Sequence, residues 1–159
     1  MATKFWVGGA GSWSDTTHWA TSTGGAGSTG IPATGDSVTF DGSSGGGNVV
    51  CDVVSGLSLL SLTAGAFTGT LDFTGTNPDL TLTASGTALN LSGTGARKYL
   101  MGSGTFTFTG TGTATYFDIS TTTNLDPTSV TTMGMTFTAT TALAGVSQTI
   151  EWGTCNTYI

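Results

Sequence analysis

The sequence predicts an all-β fold: a short single-domain parallel β-helix (solenoid) closed at its N-terminal end by a loop-rich, aromatic cap segment. Three observations carry this. After Val49, apolar residues alternate with Thr or Ser, as at Leu57/Leu59, Leu71/Phe73, Leu80/Leu82, Leu89/Leu91, Phe106/Phe108 and Met133/Met135/Phe137. That is the period of strands buried on one side. Similar segments then recur at long intervals, Leu80-Thr81-Leu82, Phe106-Thr107-Phe108 and Met135-Thr136-Phe137, the spacing of three-sided rungs of some 20 to 29 residues. No window carries the i, i+3, i+4, i+7 apolar stripe of a helix. A β-sandwich or jelly roll is the alternative, because short strands separated by Gly-Thr and Ser-Gly steps at about 8 to 12 residues suit either architecture.

Taken in order, residues 1–48 read as the cap segment, with one strand at Ser37 to Phe40 and with Gly24 to Gly30 and Gly45 to Gly47 as punctuation. Residues 49–159 read as the β-solenoid ladder, the two parts forming one structural domain. Thr at the outward positions suits a stacked face, its hydroxyl toward water and its methyl against its neighbours. Arg97-Lys98 and Asn124-Leu125-Asp126-Pro127 read as projecting loops. A solenoid has two open ends whose backbone groups invite further pairing, so both need caps. Trp6, Trp13, Trp19 and Phe40 are the cap and packing residues expected at one end, with Ile150, Trp152 and Tyr158 at the other.

The order of residues in the first segment is distinctive. Phe5-Trp6-Val7-Gly8-Gly9-Ala10-Gly11-Ser12-Trp13-Ser14-Asp15 is followed by His18-Trp19, Pro32 and Gly35-Asp36-Ser37-Val38-Thr39-Phe40-Asp41. This resembles the W-x-G-G-x-G-x-W-x-D-x-x-x-W…P-x-x-G-D-x-V-x-F segment that begins many bacterial and phage β-solenoid proteins, among them autotransporter-type passengers, repeat-bearing surface proteins and phage virion proteins. The resemblance covers residues 5–41. It implies a segment folded over the first rung, with the tryptophans as packing residues.

Charge narrows the function. Charged residues make up 8% of the 159, the net charge is −6, and Lys4, Arg97 and Lys98 are the only basic residues. Scattered bases speak against nucleic acid, whose phosphates need clustered Lys and Arg, and against an anionic membrane surface. No stretch approaches the ~18 apolar residues of a spanning helix. Soluble monomers usually carry charge on about a quarter of their residues, so partner subunits are expected to cover much of this surface. Met1 to Lys4 run into the aromatic motif without an apolar leader, which favours assembly in a host cytoplasm.

No catalytic set emerges, and the chain is expected not to be an enzyme and to need no cofactor. His18 is the only histidine and lies inside the aromatic motif, where a stacked loop residue is the simplest reading. Gly25 to Gly30 fit G-x-G-x-x-G literally, but Ile31-Pro32 follow where a helix should continue. Asp52, Asp72, Asp79 and Asp118 are spaced singly as solubilising or turn-forming acids, and Glu151 is the only glutamate. Asp15, Asp36 and Asp41 are the one candidate metal set, for Ca²⁺ held by oxygen ligands. Cys51 and Cys155 read as small buried hydrophobes, too far apart in sequence for a metal knuckle.

Two classes of function remain. The first is a structural virion protein, a capsid decoration or cement protein, forming a homotrimer and contacting a major capsid or other virion protein. The second is a carbohydrate- or receptor-binding fibre or adhesin module whose exposed aromatics stack on a glycan.

Overall fold

The computed structural model describes residues 1–91, 98–100, 104–109, 115–118, 124–125, 134–137 and 149–151. The described chain is all-β; its helical content is a single 3₁₀ turn, Thr16–His18. Its strands lie in three sheets. The first contains β1 (Thr3–Trp6), β3 (Trp19–Ala20), β4 (Ser37–Thr39), β7 (Ser61–Thr63), β10 (Leu89–Asn90), β13 (Thr115–Asp118) and β16 (Thr149–Glu151). The second contains β2 (Gly11–Ser12), β5 (Asn48–Val50), β8 (Thr70–Asp72), β11 (Lys98–Leu100) and β14 (Asn124–Leu125). The third contains β6 (Leu57–Leu59), β9 (Leu80–Leu82), β12 (Thr105–Phe108) and β15 (Gly134–Phe137).

From β4 onward the chain visits the three sheets in fixed rotation, and each strand pairs with the strand three places along. All of these pairs are parallel; the antiparallel exception among the described strands is β1 with β3, where Phe5 faces Ala20 and Trp6 faces Trp19. Register follows the apolar column. Val38 faces Leu62, Leu62 faces Leu89 and Leu89 faces Phe117 in the first sheet. Val49 faces Leu71 in the second, and Leu59 faces Leu82, which faces Phe108, in the third. A one-residue slip would turn the buried Val38, Leu62, Leu89, Val49, Leu71, Leu59, Leu82 and Phe108 outward, so the alternation fixes the pairing.

The three inner faces share one core containing Val38, Leu62 and Leu89 from the first sheet, Val49 and Leu71 from the second, and Leu59, Leu80, Leu82 and Phe108 from the third. Burying each such side chain is worth about 1.5–3 kcal/mol. Corners between sheets approach closely. A Cβ at Gly69 would lie 2.3 Å from the Gly47 carbonyl oxygen of the preceding turn, so that corner admits only glycine.

Residues 1–48, expected as a cap holding one strand, contribute β1, β2, β3 and β4, and β5 straddles the boundary at residue 48. The extra strands carry little alternation of their own. Pairing supplies their hydrogen bonds: β3 lies on β1, β1 on β4, and in β2 Gly11 faces Val49 and Ser12 faces Val50. Arg97 lies outside the described residues, while Lys98 and Asn124-Leu125, read from sequence as loops, belong to β11 and β14. In both places parallel pairing overrides weak local propensity.

Candidate functional site: the aromatic N-terminal end

The densest group of distinctive residues lies around β1, β2, β3 and β4. Trp6 ends β1, Trp19 begins β3, Trp13 follows β2 and Phe40 follows β4. All four are fully buried. The Trp6 and Trp19 rings meet edge-on with centroids 5.0 Å apart, and Trp13 and Trp19 meet at 4.8 Å. Phe40 touches all three tryptophans and, at 5.3 Å, Phe67 of the next turn. Edge-to-face pairs of this kind add about 0.5–1.5 kcal/mol beyond their buried area. Two of the three indoles are also anchored: Trp6 Nε1 donates to the Gly9 carbonyl and Trp19 Nε1 to the Trp13 carbonyl, each at 2.7 Å.

His18 packs on this cluster. Its ring stacks on Trp6 at 4.6 Å and 4°, and its Nδ1 lies 2.6 Å from the Val7 carbonyl oxygen. That contact assigns the proton to Nδ1, since a carbonyl only accepts. The ring fits because Gly8 and Gly11 carry no side chain; a Cβ at Gly11 would lie 2.5 Å from Nε2. The glycines of the motif make room for the imidazole.

The carboxylates do separate jobs. Asp15 caps the 3₁₀ turn, accepting from Thr17 N at 2.9 Å and Thr17 Oγ1 at 2.7 Å, and these bonds hold its carboxyl below the usual value. Its Oδ2 lies 3.8 Å from His18 Nε2. Asp36 is buried and accepts from Ala2 N at 2.6 Å and Ala33 N at 3.1 Å. Burial pushes its carboxyl up, but the two N–H donors, the chain's N-terminal ammonium and Lys4 outweigh that and hold it below the usual range. Asp41 accepts from Ser43 N at 2.8 Å. Asp15, Asp36 and Asp41 are therefore not brought together, and among the described residues no three His, Cys, Asp or Glu side chains form a group able to hold a metal ion. Each finds turn N–H donors within a few residues, which fixes where its oxygens point.

Other positions carry no signal in the sequence. Lys4 stands in register with Val38, at an inward position of β1. It is 8% exposed and donates from Nζ to the Thr29 carbonyl at 2.5 Å, so a charged residue ends the apolar column. Asp52, on the following turn, accepts from Ser14 N at 2.9 Å and ties the motif to the ladder. Cys51 is buried and its thiol is pushed up to about 12, chiefly by desolvation, which makes it unreactive. Cys155, Trp152, Ile150 and Glu151 have side chains outside the described residues, as do those of Asp118 and Tyr158.

A neutral open groove of about 260 Å³ runs between Ile31–Thr34 and Val53–Leu59. It contains no titratable side chain and is smaller than the ~300–1,000 Å³ of typical small-molecule sites. No helix among the described residues is long and apolar enough to cross a membrane. The chain matches no protein-family model, no curated protein and no solved structure.

Proposed function

We propose that the chain is a short parallel β-helix acting without chemistry as a structural virion protein: a decoration or cement subunit that assembles as a homotrimer and spans neighbouring subunits of a phage capsid. The observation that carries this reading is the use of the aromatic motif. Trp6, Trp13, Trp19 and Phe40 are wholly buried and spent on closing the first turn. The strand rotation and the parallel pairs at every third strand support the β-helix over an antiparallel sandwich, whose consecutive strands pair through hairpins. A chain with 8% charged residues supports burial against partners. In the mechanism proposed, each copy adds interface area that the shell must lose before it can expand or rupture.

The glycan-binding reading relies on exposed aromatic platforms, and Trp6, Trp13 and Trp19 are in the core. The test combines the mass of the purified chain in solution with quantification of the chain in intact virions. A discrete trimer present in stoichiometric amount in capsids is the expected result. A stable monomer that binds a glycan, or a chain missing from virions, overturns it.

A further inference from the structure

At the rim of the aromatic cluster the fold sets two hydrogen-bond acceptors against each other. His18 is the only histidine of the chain, and its ring is tightly held. One face stacks on Trp6, with centroids 4.6 Å apart and planes within 4°. Gly8 and Gly11 press on the ring so closely that a Cβ at Gly8 would lie 3.0 Å from Nδ1 and one at Gly11 2.5 Å from Nε2. Because Nδ1 donates to the Val7 carbonyl at 2.6 Å, Nε2 of the neutral ring carries the lone pair.

Asp15, three residues earlier, faces that lone pair. Its Oδ1 accepts both bonds from Thr17, one from N and one from Oγ1. Its Oδ2 lies 3.8 Å from Nε2. A cation between the two acceptors satisfies both, and the width of the gap says which kind. A direct N–H···O bond ends near ~3.2 Å. A bridging water, with two bonds of about 2.8 Å at a tetrahedral angle, spans about 4.5 Å. Metal bonds of about 2.0–2.2 Å to nitrogen and to oxygen reach across the 3.8 Å.

We propose that His18 and Asp15 bind a divalent transition-metal ion of the Zn²⁺ class through Nε2 and Oδ2, with water completing its shell. An imidazole beside a carboxylate selects such ions over Ca²⁺ and Mg²⁺, which take oxygen ligands. The bond from Nδ1 to a backbone carbonyl is the outer contact that metal-bound histidines usually make, and here it fixes both tautomer and direction. With the ring already held by Trp6 and the glycines, little ordering remains to be done on binding. The His18 and Asp15 side chains are 17% and 45% exposed, so an ion reaches them from solvent, and a net charge of −6 favours its approach. Bound there, the ion clasps the 3₁₀ turn and, through Nδ1 and Val7, ties it to the end of β1. Asp36 and Asp41 take no part. The inference does not depend on the virion reading.

The test follows the His18 ring C–H signals by NMR as Zn²⁺ is added to the folded chain at neutral pH; with a single histidine, these signals report this site alone. Saturation at one ion per chain is expected, with little response to Ca²⁺ at the same concentration and a thermal midpoint that rises with Zn²⁺. Asp15→Asn keeps an oxygen for Thr17 and should keep the fold, as circular dichroism checks. It should nevertheless need about tenfold more Zn²⁺ or worse, since loss of even an outer-shell partner costs ~10–100-fold. His18→Gln should abolish the thermal shift. Ring signals that ignore Zn²⁺ overturn the proposal, as does an equal response to Ca²⁺. So does an Asp15→Asn chain that binds as tightly as the wild type, which would mean a lone imidazole holding an adventitious ion only.

Discussion

The Trp19 indole N–H donates to the Trp13 carbonyl at 2.7 Å, whereas the buried Trp13 indole N–H has no hydrogen-bond partner among the described residues. The two rings are in contact and equally buried, but only one is used as a donor. Trp19→Phe should therefore destabilise more than Trp13→Phe. It strands a buried carbonyl, worth about 1–3 kcal/mol, while Trp13→Phe removes an orphan donor. Paired denaturant melts measure the difference, and an equal loss for the two variants would contradict the assignment.

Trp13→Ala should cost about 3–5 kcal/mol, as expected for a large buried aromatic, and should appear in thermal melts before any binding assay. A variant that melts like the wild type yet loses affinity for a glycan would make the tryptophans a binding platform, against the closure role.

Two glycines separate packing from flexibility. Gly69→Ala places a methyl against the Gly47 carbonyl oxygen and the Phe67 ring, at 2.3 and 2.5 Å, and should lose about 3 kcal/mol or more. Gly86 has open space around it, so Gly86→Ala should stay within about 0.5 kcal/mol of the wild type. Chemical denaturation of the pair decides the matter.

The pH dependence has an alkaline and an acid arm. Cys51 is raised from 9.0 to about 12 in the folded chain, so its neutral form is favoured by folding. The associated stability is complete below pH 9 and falls as the pH rises toward 12. Cys51→Ala should flatten this arm, and Cys51 should resist thiol reagents until the chain unfolds. Labelling of Cys51 in the folded protein at neutral pH would contradict its burial.

Asp36 moves the other way. Its carboxyl is lowered from 3.8, so its contribution is complete above that value and is lost as the pH falls below it. Asp36→Asn should lower stability at neutral pH and narrow the gap to the wild type in acid. A gap that widens on acidification would mean that the Ala2 and Ala33 N–H groups are not its partners.

The strand ladder was legible because alternation is a local property. Leu80-Thr81-Leu82 states its buried and exposed sides within three residues, and the aromatic spacing of residues 5–41 marks the dense N-terminal cluster. The strands before Ser37 were not legible. β2 is two residues of Gly-Ser, and only its alignment with Val49 and Val50 makes it a strand. The roles of the three acids were not legible either: Asp15 and Asp41 accept from their own turns, while Asp36 accepts from Ala33 nearby and from the distant Ala2.

By itself, the sequence determined the all-β class, the apolar columns, the shortage of charge and the aromatic motif, since each depends on residue type and near-neighbour spacing. Tertiary structure decided which strand lies on which, placed Lys4 at the end of an apolar column, seated His18 over Trp6, linked Ser14 to Asp52 and aligned Ser58 with Thr81 and Thr81 with Thr107. Those relations join residues separated by up to a full turn of the chain. They are fixed by register, through the joint burial of every column at once, and no local segment records that.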